Sequence, residues 1–111
     1  MRSRMAAAIV ATLIFASQAA ANDQLIAQLK TLGKAVDDMS ANISKATTDA
    51  DAELLASVTR QALDNGLKQD RATIVIKASA GHCRVTIETP AWNLWSEADA
   101  GKITGHGAKV R

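Results

Sequence analysis

At 111 residues, 48% of them hydrophobic and 22% charged, the chain has the length and composition of one small globular domain. An aromatic content of 3% without tyrosine, and a formal net charge of only +2, leave little to stack on bases or neutralise phosphates, which excludes nucleic acid as a partner. A single cysteine excludes an internal disulfide framework.

The N-terminus, MRSRMAAAIVATLIFASQAAAND, places Arg2 and Arg4 before an apolar run from Met5 to Phe15 and the small residues Ala19, Ala20 and Ala21. That order reads as a secretory signal peptide over residues 1–21, with cleavage after Ala21 and export to the periplasm or the exterior. The alternative is an uncleaved membrane anchor. Loss of Arg2 and Arg4 from 13 basic residues leaves 11 against 11 acidic ones, so the basic balance belongs to the precursor. Residues 22–66 carry four bases against seven acids, and residues 67–111 carry seven against four. Such asymmetry speaks of association, within one fold or between molecules.

From Leu25 the apolar residues Leu29, Leu32, Val36, Met39, Ile43, Ala46 and Ala50 follow at alternating steps of four and three, a heptad seam. The seam predicts a helix over 23–46, capped by Asn22 or Asp23. The step breaks after Ala50, and Thr47, Thr48 and Asp49 offer caps for a second helix over 50–64, closed by Asn65-Gly66. Positions flanking the seam almost lack the paired charges that specify a two-stranded coiled coil, which favours a helical hairpin across 22–66 over a dimeric rod.

The stretch RATIVIKASAGHCRVTIETP alternates β-branched residues and predicts a β-hairpin turning at Ala80-Gly81. That register pairs Ala78 with Cys83, Ile76 with Val85 and Ile74 with Ile87 on one apolar face. The other face sets Lys77 against Arg84, a like-charge pair. Thr89 and Pro90 then read as cap and first residue of a short helix through AWNLWSEADA, with Trp92 and Trp95 neighbours on one face. The residues 101–111, GKITGHGAKVR, read as a glycine-rich basic tail. The whole is an α+β domain: the helical hairpin packed with the β-hairpin and the short helix in 67–100.

Cys83 shares the hairpin's apolar face and reads as a small buried hydrophobe. An intermolecular disulfide is its second reading, because an odd cysteine in an exported chain signals such pairing, and a catalytic thiol is the third. His82 points to the face opposite Cys83, and with His106 the set is too small for a structural zinc site. No catalytic, cofactor-binding or metal-ligating residues are assigned, and no cofactor is expected. The reading is a small exported, non-catalytic accessory or inhibitor-like protein. It binds a protein partner in the cell envelope, or itself, through Trp92, Trp95, Lys102, Lys109 and Arg111. An envelope-anchored coiled-coil assembly factor, touching the membrane through the uncleaved N-terminus, is the alternative.

Overall fold

The seam that starts at Leu25 packs against a β-sheet. A computed structural model describes residues 21–111, and the expected signal segment lies outside the described residues apart from Ala21. Helix α1 (Ala21–Ser44) and helix α2 (Asp49–Leu67) are followed by a 3-10 turn (Lys68–Asp70) and strands β1 (Thr73–Ser79), β2 (His82–Glu88), β3 (Trp92–Asp99) and β4 (Lys102–Val110). The four strands form one antiparallel sheet in sequence order. Both helices lie on the same side of it, α1 across β2, β3 and β4 and α2 along β1, and each touches the sheet far more than the other helix. The expected packing of helix on helix is thus replaced by two helices side by side on a sheet. No described helix is long and apolar enough to cross a membrane.

The physical reason is where the apolar stripes point. Leu29, Leu32, Val36 and Ile43 are buried to 3% exposure or less, with Leu25 and Met39 packed beside them. They meet Ile74, Cys83, Val85, Ile87, Trp92 and Leu94 from the inner face of the sheet. Burial of each such aliphatic side chain contributes roughly 1.5–3 kcal/mol, enough to hold α1 despite Gly33. A stripe with a 3.5-residue period fits a sheet as well as a second helix.

Several local signals are realised as read. Thr48 caps α2, its Oγ1 accepting from the Asp51 backbone N–H at 3.1 Å. The first hairpin forms in the expected register, from Thr73 opposite Glu88 to Ser79 opposite His82, with Gly81 at φ +81° in the turn. The end of α2 differs. Burial of Leu67 carries the helix through Asn65-Gly66, and Arg71 at φ +54° takes the left-handed position instead.

The C-terminal third departs most. There is no short helix: residues 92–99 are a strand, because Trp92, Leu94, Ser96 and Ala98 alternate and are all buried. Thr89 does use its hydroxyl as a cap would, accepting from the N–H groups of Ala91 at 3.2 Å and Trp92 at 3.0 Å, but it closes a hairpin loop. Nor is 101–111 a tail, since residues 102–110 complete the sheet as its edge strand, with a register shift opposite Glu97 and Ala98.

Both hairpin turns at one end are tied to the helix connection. Asp49 Oδ1 accepts from Ala80 N–H at 2.7 Å, Ala46 O from Gly81 N–H at 3.0 Å, and the buried Ser44 Oγ from Gly101 N–H at 2.8 Å. Ser40 and Ser96, also buried, join their hydroxyls across the helix–sheet interface at 2.7 Å.

Candidate binding face

The sheet has a second face, which the two helices leave uncovered. The strand registers place four cross-strand rows on it: Ser79–His82–Asp99–Lys102, Lys77–Arg84–Glu97–Gly105, Val75–Thr86–Trp95–Gly107 and Thr73–Glu88–Asn93–Lys109. Strand alternation puts these residues opposite the core set, so this face is chemically mixed where the inner one is apolar.

Trp95 sits near its centre and lies down over β4. A Cβ at Gly107 would stand 2.6 Å from Trp95 Nε1, and one at Gly105 2.9 Å from Trp95 Cη2. Any larger residue at either position would collide with the ring, which is the reason this strand is glycine-rich. The Arg84 guanidinium carbon stands 4.5 Å from the indole centroid, a cation–π stack. Arg84 Nη1 also donates to Glu97 Oε1 at 3.1 Å, which offsets the repulsion from Lys77. Glu97 Oε2 in turn stands 3.2 Å from His82 Nε2, and His82 Nδ1 is 2.5 Å from Asp99 Oδ1. An Asp99–His82–Glu97–Arg84–Trp95 chain therefore runs diagonally over the face, each member fixing the next.

The expected site residues separate. Trp92 is buried at 2% exposure on the inner face, so it is core and not a contact residue. The two tryptophans point to opposite sides because a strand, unlike a helix, sends residues three apart to opposite faces. Trp95 belongs to the open face, with Lys102 and Lys109 at the ends of its outer rows. Arg111 follows β4, donates its backbone N–H to Ala91 O at 2.9 Å and reaches Glu88 at 3.6 Å.

Cys83 is fully buried and free, packed as a small hydrophobe, and a disulfide to a second molecule would require the core to open around it. Burial pushes the thiol up to about 11, so it stays protonated at neutral pH. Both histidines lie on strands, and each meets a carboxylate, His106 Nδ1 lying 2.7 Å from Asp37 Oδ2.

The row Ser79–His82–Asp99 has the order of a nucleophile, base and orienting acid. The second nitrogen of His82 faces Glu97, however, and no hydrogen bond among the described residues joins it to Ser79, so the base is turned away from the hydroxyl. Among the described residues no group of three or more histidine, cysteine or acidic side chains is placed to hold a metal ion.

Fold and face together define a small α+β domain, two helices on one side of a four-stranded antiparallel sheet and an aromatic–arginine platform on the other. No family model matches the chain, and no curated protein or solved structure gives a match either.

Proposed function

We propose that this is a small exported, non-catalytic binding protein, and that it engages a partner protein of the cell envelope through the open face of its sheet. The observation that carries the reading is Trp95, the large aromatic residue outside the core, held flat by Gly105 and Gly107 and stacked by Arg84. Tryptophan and arginine are the residue types most enriched at interface hot spots. A ring already fixed in place loses little freedom on binding, so its contact area converts more fully into affinity. The buried, protonated Cys83 and the turned-away His82 support a role without catalysis. The N-terminal signal pattern supports export. In the alternative of a coiled-coil assembly factor, the seam would have to leave the sheet that now buries Leu29, Leu32, Val36 and Ile43, at the cost of the core.

The test compares capture of envelope proteins by wild type, Trp95→Ala and Arg84→Ala, with folding monitored by circular dichroism. The reading expects one specific partner, lost at least tenfold in both folded variants. Undiminished capture by folded Trp95→Ala would overturn it.

A further inference from the structure

A groove of about 390 Å3 runs between α1 and the edge strand β4, and Trp95 and Gly107 of the open-face row also line it. Leu29, Gly33 and Leu94 form its bottom with Ala108 on the strand side, and Lys30 and Lys34 stand along the helix rim. Pockets that take small ligands have this character: mostly apolar walls, a few convergent polar groups, and a volume upward of about 300 Å3.

Two features of α1 point to an occupant. The first is Gly33. Glycine is among the poorest residues for a helix interior, and here neither backbone nor packing demands it: a Cβ would meet only Leu94 Cδ1, at an ordinary 3.6 Å. What the missing side chain provides is depth in the groove. The second is charge. Lys30 and Lys34 are exposed, and neither takes part in a salt bridge among the described residues, whereas the one acid lining the groove, Asp37, is engaged by His106 at the far end. The groove is thus apolar below, positive along one rim, and closed at one end by an acid–histidine pair.

We infer that this groove binds a small anionic amphiphile, a molecule with a short hydrocarbon chain and a single carboxylate-type head. The chain lies over Leu29, Gly33, Leu94 and Ala108, and the head meets Lys30 and Lys34, turned away from Asp37. Two lysines at i and i+4 on a helix present their ammonium groups side by side, a spacing suited to one anionic head.

The probe is decanoate, with decanol as its uncharged counterpart, both kept below micelle-forming concentrations and titrated into the full chain by amide-resolved NMR. Saturable decanoate shifts are expected at Gly33, His106, Gly107 and Ala108. Lys30→Gln combined with Lys34→Gln should weaken decanoate at least tenfold and leave decanol unchanged. Gly33→Ala should bind less tightly while melting higher than wild type, which separates loss of the groove from loss of the fold; Gly33→Leu should abolish binding. Shifts that never saturate, shifts centred instead on the exposed Leu54 and Val58 of α2, or an unaltered decanoate affinity in the lysine variant would each overturn the assignment. Partner capture through Trp95 and Arg84 is read separately, because the lysine substitutions lie on α1 and leave the open face intact.

Discussion

Gly107→Ala tests the geometry of the open face most sharply. The added methyl would stand 2.6 Å from Trp95 Nε1, 3.3 Å from Cε2 and 3.4 Å from Cδ1. Comfortable contact needs about 3.5 Å or more, so the indole must retreat by roughly 1 Å or β4 must bend. Overpacking of that kind costs about 1–3 kcal/mol. Against it stands the gain of about 0.4–1 kcal/mol from removing a glycine's freedom in the unfolded chain. Lifting the ring also weakens the Arg84 stack, worth about 0.5–1 kcal/mol at an exposed site. The net is a destabilisation on the order of 1–2 kcal/mol, and in a domain of this size each kcal/mol lowers the melting temperature by about 4–8 °C. Thermal melts by circular dichroism and tryptophan emission measure both parts, with Gly33→Ala as the control expected to stabilise by about 0.5–1 kcal/mol. Wild-type stability and unchanged emission in Gly107→Ala would show that Trp95 does not lie on the strand.

Other substitutions separate core from face. Trp92→Ala should cost about 3–5 kcal/mol and leave the domain largely unfolded, while Trp95→Ala should cost no more than about 1–2 kcal/mol in urea melts. Cys83 should resist a thiol reagent in the folded protein and react stoichiometrically once denatured, and Cys83→Ala should lose on the order of 1 kcal/mol. Ala100 and Gly101 both adopt positive φ, at 49° and 87°, the signature of a hairpin turn that favours Asn-Gly; Ala100→Asn should stabilise by on the order of 0.5–1 kcal/mol in the same melts. Burial raises the Asp70 carboxyl above its usual 3.8, and its Oδ2 is enclosed without a donor. The folded state then holds that proton more tightly than the unfolded chain does, so stability falls as pH rises through the window above 3.8. Asp70→Asn should therefore melt higher than wild type at pH 7, with the gain shrinking as the pH drops below that window.

The first hairpin was legible, because β-branched residues alternate from Ile74 to Ile87 and one register puts Ile74, Ile76, Ala78, Cys83, Val85 and Ile87 together on one face, leaving Val75 on the other. The stripe of α1 was legible too, but periodicity reports which residues are buried and not what covers them. Strand β3 was hidden by Trp95, which interrupts the alternation of Trp92, Leu94, Ser96 and Ala98, so that the two rings three apart resemble a helix face. Thr89-Pro90 reinforced that error, since the hydroxyl makes the same local bonds in a hairpin loop as at a helix start. Strand β4 was masked by its glycines, which mark close approach of the Trp95 ring and not mobility. Trp95 itself was among the expected contact residues, but Arg84, His82 and Glu97 were not. Their signal lay in the Lys77–Arg84 pair, a like-charge juxtaposition on the open face that calls for an acid on the next strand.

Whether a partner covers the open face, as proposed, is tested by site-specific photocrosslinking in the intact cell. A photoreactive residue replaces Thr86, next to Trp95 in its row, or Ser57, exposed on α2 away from the sheet. The account predicts one discrete protein adduct from position 86, none from 57, and loss of that adduct when Trp95→Ala is added. Adducts from position 57 alone, or an adduct at 86 that survives the loss of Trp95, would contradict it.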